Sequence, residues 1–445
     1  MNKILIKNAK IINEHQIFES DLLIHGERIE KIAENITAPE NATIIDAKGN
    51  YLMPGAIDDQ VHFREPGLTD KATILTESRA AIAGGVTTFF EMPNTNPQTT
   101  TIEKLEEKFQ IAANSAYANY SFMFGGTNDN LEEVLKLDKN QCAGLKLFLG
   151  SSTGNMLVDD EKTLENIFSK TDFLISTHCE DEGTIRKNLA MYKEKYGDNI
   201  PIKYHPIIRS EEACYLSSSK AIELAKKTGA RLHVFHLSTG KETHQFRNDI
   251  PLKDKKITAE VCIHHLWFTD ADYDDKGTFI KWNPAVKTAQ DRDELWKALL
   301  DDRLDVIATD HAPHTLAEKQ NVYTKAPSGG PLVQHAIVAM FEAHKQGKIS
   351  LEKVVEKMCH NPAILFDVKE RGYVREGYFA DLVLVNAHKA WEVAKDNLLY
   401  KCQWSPFEGT TFSAQITHTF VNGNLAYENG TVSENRVVKR VDFDR

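Results

Sequence analysis

The feature that most constrains the fold is a series of eight short apolar segments in the middle of the chain. Segments with helical periodicity, such as Ile102–Ala116 and Glu211–Gly229, separate them. Strands that alternate with helical crossovers favour a parallel sheet, and eight of them favour a closed α/β barrel of the (β/α)8 TIM type. The eight predicted strands are Ala56–Phe63, Val86–Met92, Tyr120–Phe124, Ala143–Leu149, Phe173–Thr177, Arg231–His236, Ile257–Cys262 and Asp305–Thr309.

The two ends of the chain have a different pattern of apolar segments. Residues 1–52 contain strand-sized segments such as Asp21–Ile24, and residues 366–445 contain similar ones such as Ile416–Val421. Short apolar segments punctuated by glycine are typical of β-structure. We therefore expect the barrel to occupy residues 53–365 and the two ends to combine into one small β-sandwich domain.

The composition limits the classes of function. The chain has 53 basic and 64 acidic residues, a net charge of −11, and no basic tract, so binding to nucleic acid or to an anionic membrane is not expected. No apolar run approaches the ~18 residues of a membrane helix. The six cysteines include no C-x-x-C pair, which argues against a disulfide framework and a thiolate zinc site. These features predict a cytoplasmic protein that acts on a small molecule.

Four residues that can bind a metal ion lie at or just beyond the ends of predicted strands. His62, His178, His236 and Asp310 each close an apolar run. A single histidine there is more often structural, but the carboxyl ends of barrel strands converge on one rim, where active sites of this fold lie. A carboxylate at the end of an apolar strand also needs a partner to offset its desolvation. Imidazoles and a carboxylate without thiolates predict zinc or a similar divalent ion.

Lys146 lies inside the apolar segment Gly144–Leu149. One interpretation is a lysine that reaches solvent or forms a salt bridge. The other is a desolvated lysine that loses its proton and takes up carbon dioxide, giving a carbamate whose oxygens can bridge two metal ions.

Arg64 and Asn94 follow the first and second predicted strands. The planar guanidinium of arginine binds a carboxylate through two parallel hydrogen bonds, so this pair is a candidate anchor for an acidic substrate. The alternative for Arg64 is a salt bridge within its loop, with Glu65 as the nearest carboxylate in sequence.

Several motifs of the chain are similar to the signatures of the dihydroorotase family within the amidohydrolase superfamily, and the resemblance spans residues 3 to 435. The Phe-Arg-Glu-Pro-Gly string is the most specific of them, and Asp-His-Ala-Pro-His supports it. The motifs are Gly55–Gly67, Glu91–Thr95, Asn283–Pro284, Ile307–His314, Asn361–Ala363 and Ser405–Gly409. The resemblance implies a distorted barrel joined to a β-sandwich.

The resemblance also implies an activity and a role for individual residues. The activity is the reversible, metal-dependent hydrolysis of the cyclic amide of (S)-dihydroorotate to N-carbamoyl-L-aspartate, a step of pyrimidine synthesis. By the same resemblance, Asp310 is the catalytic base as well as a ligand, and Lys146 is the bridging carbamate. The implied metal ligands are His62, Lys146, His178, His236 and Asp310. The implied substrate-binding residues are His62, Arg64, Asn94, Asn283 and His314.

The chain departs from the family pattern in two places. The family opens with His-x-His, but this chain has Gln60-Val-His62, and the substrate loop reads Pro327-Ser-Gly329 where the family usually has Pro-Phe-Gly. A neutral amide oxygen is a poor zinc ligand beside imidazole, so we expect one tightly bound zinc ion and a second, weaker one. Two other functions stay open: a hydantoinase or allantoinase, and an inactive scaffold that partners a carbamoyltransferase. A homodimer is equally open.

Regular alternation along a strand gives two expectations about side-chain direction. His233 precedes His236 by three residues and should face the opposite side of its strand, under the helices. In the first barrel strand, Asp58 should share a face with Gln60, and Asp59 should not.

Overall fold

The structure, a computed structural model, describes residues 3–150 and 156–445. Its strands fall into three groups along the chain. The first group is β1 (Lys3–Asn13), β2 (Gln16–His25), β3 (Arg28–Ala33), β4 (Thr43–Asp46) and β5 (Tyr51–Pro54). The second group is β6 (Ala56–Val61), β7 (Val86–Glu91), β8 (Asn119–Gly125), β9 (Gly144–Phe148), β10 (Leu174–His178), β11 (Arg231–Val234), β12 (Ile257–Cys262) and β13 (Val306–Ala308). The third group is β14 (Leu382–Asn386), β15 (Trp391–Glu392), β16 (Thr411–Phe412), β17 (Gln415–Val421), β18 (Asn424–Glu428) and β19 (Thr431–Val432).

The second group forms an eight-stranded parallel sheet in which neighbours along the chain are neighbours in space. The backbone N–H of His62 donates to His311 O at 2.7 Å, and a bridge pairs Val61 with His311, so the first and last strands meet and the sheet forms a barrel. All eight predicted strands are confirmed, and their bounds differ from the prediction by at most two residues. β11 ends at Val234, earlier than predicted, because His236 has a φ of 43° and leaves the extended conformation.

Helices cover the outside of the barrel. The longer ones are α1 (Ile74–Ala83), α2 (Ile102–Ser115), α3 (Glu161–Lys170), α4 (Glu182–Tyr196), α5 (Glu211–Thr228), α6 (Ala289–Leu300) and α7 (Ala336–Lys345). Shorter helical segments are Leu131–Val134, His205–Ile208, Gly240–Thr243, Ile263–Trp267, Tyr273–Lys276, Leu316–Lys319, Leu351–Val355 and Asn361–Leu365. Both helices named from the sequence begin at a side-chain cap, because Thr101 accepts from Lys104 N and Ser210 from Ala213 N. None of the helices in the described residues is both long and apolar enough to cross a membrane.

Strands from both ends of the chain form one sheet of nine strands. Its order is β19-β18-β17-β14-β5-β1-β2-β3, and β4 pairs with β1. β14 pairs with β5, so this sheet joins the part of the chain that precedes the barrel strands to the part that follows them. A β-rich unit built from both termini is therefore confirmed, whereas the domain boundaries after residues 52 and 365 stay a prediction.

The last residues of the chain leave this sheet and return to the barrel. Tyr120 N donates to Lys439 O and Val441 N to Tyr120 O, at the amino-terminal end of β8. Phe443 then packs against Phe90, with ring centroids 6.0 Å apart. The tail thus covers the amino-terminal end of the barrel, opposite the rim on which the candidate residues were predicted.

A β-bulge in β6 changes which residues face the barrel interior. Asp58 pairs with Phe89 and Val61 with Glu91, so β6 has one residue more than β7 over this stretch. Asp58 is held by Thr309, whose hydroxyl donates to Oδ2 at 2.6 Å. The extra residue lets both Asp59 and Gln60 point inward, so the expectation that Asp58 shares a face with Gln60 is wrong.

Candidate active site

One cavity at the carboxyl ends of the barrel strands gathers almost all of the predicted site residues. Its lining includes His62, Arg64, Asn94, Lys146, His178, His236, Asn283 and Asp310, together with Gln60 and the loop residues Ser328 and Gly329. These residues are far apart in sequence and meet because parallel strands end at one rim. His314 does not line the cavity, but it contacts Arg64 and Ser328, which do.

His178 and His236 face each other across neighbouring strands. Nδ1 of His178 lies 3.0 Å from Nε2 of His236. Burial lowers the pKa of both rings, and that of His236 well below the usual value. Two neutral imidazoles whose nitrogens converge at this distance suit a shared metal ion, because neutral imidazole is the ligand form of histidine.

Glu180 orients His178 and was not recognised as a site residue from the sequence. Its Oε2 lies 3.0 Å from Nε2 of His178, and it also pairs with Arg209. Burial alone would raise the pKa of Glu180, but Arg209 and His178 outweigh burial and hold it at about 2. An ionised carboxylate at this distance favours the proton on Nε2 of His178, which leaves Nδ1 free to bind a metal. The available signal was the His-x-Glu spacing directly after β10.

His62 and Asp310 form the second facing pair. Nδ1 of His62 lies 2.9 Å from Asn94 Oδ1, an acceptor, so Nδ1 carries the proton. Nε2 then points at Oδ1 of Asp310, 3.2 Å away. Burial lowers the pKa of His62 well below its usual value and raises that of Asp310 to about 7. The pair presents a nitrogen and an oxygen acceptor to one point.

Lys146, on β9, also lines this cavity. Its side chain is 1% exposed, and no described residue accepts a hydrogen bond from Nζ. Nζ lies 3.9 Å from the centroid of the Phe235 ring. Burial lowers its pKa to about 7. A solvent-reaching or salt-bridged lysine does not fit this environment, and a neutral amine does.

Gln60 occupies the position at which the family pattern has its first histidine. Its side chain is buried and lines the cavity, with Oε1 3.7 Å from Cys262 Sγ. Asp58 cannot replace the missing ligand, because Thr309 holds its carboxylate on the other side of β6. The cavity therefore has a neutral amide beside His62 where the family pattern has an imidazole.

Arg64 is buried beside the cavity without a carboxylate partner among the described residues. Its Nε donates to Pro313 O at 3.0 Å, and it is 2% exposed. Glu65 does not pair with it, because its Oε2 accepts from Ile74 N at the start of α1. Burial lowers the pKa of Arg64 only to about 10, so the guanidinium stays charged at neutral pH. The described residues thus contain no salt bridge between Arg64 and Glu65, and the role of Arg64 as an anchor stays a prediction.

His314 lies behind Arg64. Lys71 Nζ is 3.0 Å from its Nδ1, while its Nε2 lies 3.0 Å from Ser328 O and 3.1 Å from Nη2 of Arg64. With Lys71 as the donor to Nδ1, the Nε2 proton goes to the carbonyl of Ser328. Because Nε2 then carries the proton, the ring links Lys71 to the loop of Ser328, and its contact with Arg64 Nη2 is not a hydrogen bond. A substrate-binding role for His314 stays a prediction.

Lys319 holds the loop of residues 327–329 in place. Lys319 Nζ donates to Pro327 O at 2.9 Å and Gly329 O at 2.8 Å. Gly329 has a φ of 126°, and a Cβ there would lie 2.4 Å from Ala312 O, so glycine is required. The loop that replaces the family's Pro-Phe-Gly is therefore ordered against the cavity by its own set of contacts.

Three of the candidate residues have left-handed backbone conformations. Arg64, His236 and Asp310 have φ values of 67°, 43° and 46°. Such conformations are costly for residues other than glycine and cluster at functional sites. His236 also explains a wrong expectation: alternation breaks there, so His233 and His236 both face inward, and His233 does not lie under the helices.

The residues of the cavity fit a divalent metal ion. The acceptor pairs His178–His236 and His62–Asp310 each converge on one point, and Lys146 Nζ lies buried without a partner among the described residues. Nitrogen and oxygen donors of this kind suit zinc.

The sequence model of the amidohydrolase family matches residues 51–426. A dihydroorotase of Halobacterium salinarum is 34% identical over 418 residues, which cover 93% of this chain and 94% of the relative. A dihydroorotase of Staphylococcus epidermidis is 32% identical over 95% of this chain and 99% of its own length. Relatives of this name occur in both archaea and bacteria.

Solved structures with the same fold carry other names. The L-hydantoinase (dihydropyrimidinase) of Arthrobacter aurescens has a TM-score of 0.94 and 26% identity, covering 99% of this chain and 100% of that one. The dihydropyrimidinase of Brevibacillus agri has a TM-score of 0.88 and 24% identity over the whole of both chains. At such identities the likeness bears on the fold, a barrel with an appended β-rich unit.

Proposed function

Because this chain belongs to the amidohydrolase family, we propose that its cavity hydrolyses a cyclic amide, that of (S)-dihydroorotate. The ring carbon–nitrogen bond breaks, the oxygen of water becomes a carboxylate oxygen of N-carbamoyl-L-aspartate, and the ring nitrogen takes up a proton. The reaction is reversible. Relatives at 30–34% identity over more than nine-tenths of the chain are named dihydroorotase.

The observation that carries this choice of substrate is the buried guanidinium of Arg64. It lines the cavity and stays charged, and no described carboxylate pairs with it. Dihydroorotate has a carboxylate on its ring, and the rings of hydantoin and dihydrouracil do not. A buried cation without a counterion is costly, so an anionic substrate gains a charge-assisted pair there that a neutral ring cannot form.

Zinc is the proposed cofactor. His178 and His236 would hold one ion, and His62 and Asp310 would hold a second. Lys146, as a carbamate, would supply an anionic ligand to both. When bound, the ion supplies Lewis acidity, which makes water a nucleophile near neutral pH. Gln60 weakens the position beside His62, so one ion is held tightly and the second weakly.

Asp310 is the proposed proton carrier. Its carboxylate lines the cavity beside His62, and burial raises its pKa to about 7, close to the value that suits a base at neutral pH. It accepts the proton of the attacking water and returns it to the departing ring nitrogen. Asn94 fixes the ring of His62, and the buried Asn283 Oδ1, which has no hydrogen-bond partner in the described chain, is placed to accept from a substrate N–H.

The two alternative functions differ from this one in what they require of Arg64 and Asp310. A hydantoinase or allantoinase needs no charged anchor. An inactive scaffold partnering a carbamoyltransferase needs neither converging acceptors nor a base. All six cysteines are free and buried, which suits a reducing cytoplasm.

A substrate panel tests the proposal. The purified, zinc-supplemented protein is assayed by ultraviolet absorbance with dihydroorotate, dihydrouracil, hydantoin and allantoin at equal concentrations. We expect turnover of dihydroorotate and at least a hundredfold lower kcat/KM on the three others. Equal or higher kcat/KM on an uncharged ring would replace this assignment with a hydantoinase, and a zinc-loaded protein that turns over none of them would favour the scaffold.

A further inference from the structure

A second group of metal-binding side chains lies inside the barrel, outside the cavity described above. Asp59 of β6, His233 of β11 and Glu260 of β12 are each 0% exposed, and their ligand atoms lie within 4.8 Å of one another. In the sheet register His233 is level with Ser176, whereas His178 lies two residues further along β10. The group is therefore one layer below the imidazoles of the cavity.

The hydrogen bonds of His233 define which of its nitrogens faces the carboxylates. The hydroxyl of Thr258 donates to Leu232 O at 3.2 Å, so its oxygen is free to accept from Nδ1 of His233, 2.9 Å away. With the proton on Nδ1, Nε2 of the neutral ring presents a lone pair. That lone pair points at two carboxylates, so three acceptors converge when both carboxylates are ionised. A metal ion between them offsets this convergence, and so does a proton held by Glu260, because burial and the neighbouring Asp59 raise the pKa of Glu260 well above its usual value.

Two of the distances within the group match the spacing of metal ligands. Nε2 of His233 lies 3.5 Å from Asp59 Oδ2 and 3.4 Å from Glu260 Oε2. Both exceed the ~2.7–3.2 Å of an ordinary N–H···O bond. Ligands bound tetrahedrally at ~2.0–2.2 Å from zinc are about 3.4 Å apart.

The carboxylate of Asp59 supplies an independent observation. Neither of its oxygens has a hydrogen-bond partner among the described residues, although the side chain is fully buried. Burying an ionised carboxylate without a donor is costly, and proteins normally offset this cost with a paired charge or a metal ion. The β-bulge in β6 is what turns this carboxylate inward.

We propose that Asp59, His233 and Glu260 bind a divalent metal ion of the zinc type in the interior of the barrel. Two carboxylates and one neutral imidazole neutralise a dipositive charge and supply the nitrogen and oxygen donors that zinc accepts. Because the three residues are shielded from solvent, the ion has a structural role: it ties β6 to β11 and β12. The proposal does not depend on the substrate of the cavity.

A proton is the competing cation. Burial lowers the pKa of His233, but Asp59 and Glu260 outweigh burial and raise it to about 9. An imidazolium would pair with one oxygen of each carboxylate through long contacts and leave Asp59 Oδ1 without a hydrogen-bond donor. A metal ion binds all three residues and neutralises the charge of the Asp59 carboxylate.

Metal content and anomalous diffraction distinguish the two cations. Purified wild-type protein, Asp59→Asn and the surface control Asp249→Asn are dialysed together, and zinc per chain is measured by mass spectrometry. We expect Asp59→Asn to hold one ion fewer than the wild type and Asp249→Asn to hold the same number. His233→Gln is a second variant, and it should lose the same ion.

Wild-type crystals provide the measurement that does not depend on any variant folding. An anomalous difference map at the zinc absorption edge should show a peak about 2.0–2.2 Å from Asp59, His233 and Glu260. Equal zinc content in wild type and Asp59→Asn, or zinc-loaded crystals without a peak between these residues, would overturn the proposal in favour of a protonated His233.

Discussion

The imidazole of His62 and the carboxylate of Asp310 face each other across the seam at which the barrel closes, with Nε2 3.2 Å from Oδ1. The seam is held by the backbone bond from His62 N to His311 O. Because Asn94 Oδ1 takes the Nδ1 proton, two acceptors meet at this point. A ligand and the proposed base therefore share one location, so a change in either residue affects both metal binding and proton transfer.

Asp310→Asn should keep the shape of the site and lose nearly all turnover, because an amide cannot accept the proton of water. Loss of a general base typically costs ~10²–10⁴-fold in rate. Steady-state kcat for dihydroorotate, with zinc content measured on the same sample, checks this. A variant that loads zinc and retains more than a tenth of the wild-type kcat would show that another group is the base.

Formation of a carbamate on Lys146 should depend on pH. Only the neutral amine reacts with carbon dioxide, and burial lowers the pKa of Lys146 to about 7. The amine is therefore mostly neutral above pH 7 and becomes protonated as the pH falls through that value. Metal-free protein given zinc and ¹³C-bicarbonate should develop a carbamate carbon signal that rises through pH 7 and levels off above pH 8.

The matched control for this experiment is Lys146→Gln, which lacks the amine. It should give no carbamate signal at any pH. A wild-type protein that is fully loaded with zinc and active, yet shows no carbamate signal and electron density that ends at Nζ, would mean that Lys146 acts as a neutral amine.

Gln60→His should create a stronger metal position beside His62. The histidine restores an imidazole ligand where the amide oxygen of Gln60 now lies 3.7 Å from Cys262 Sγ. After extensive dialysis we expect the variant to hold one zinc ion more than the wild type, and the wild type to reach the same content only in excess zinc. Equal zinc content after dialysis would show that Gln60 does not weaken this position.

Much of the fold and of the site could be predicted from the sequence because apolar segments are local signals. Most barrel strands are short and largely apolar, so the polar residue that ends each one can be recognised in the sequence. His178 and Asp310 are therefore predicted to lie on one rim. The sheet of both termini followed from the same kind of pattern.

Backbone irregularities could not be predicted, because they depend on packing across the barrel. The bulge in β6 turned Asp59 inward, and the left-handed conformation of His236 put His233 on the inner face. Both errors came from assuming regular alternation. Glu180 and Arg209 were missed for a related reason, since their pairing is visible only when the loop after β10 is folded.

Arg64 is the residue proposed to select a ring that carries a carboxylate, and the substitution Arg64→Met removes its guanidinium. Removing one partner of a buried charge pair typically costs ~3–5 kcal/mol, which corresponds to a loss of about 10²–10³-fold or more. Arg186→Met, on the exposed face of α4, is the matched control. With zinc content unchanged in both variants, we predict that kcat/KM for dihydroorotate falls at least a hundredfold in Arg64→Met and stays at the wild-type value in Arg186→Met. A zinc-loaded Arg64→Met that retained wild-type kcat/KM for dihydroorotate would show that Arg64 does not select the substrate.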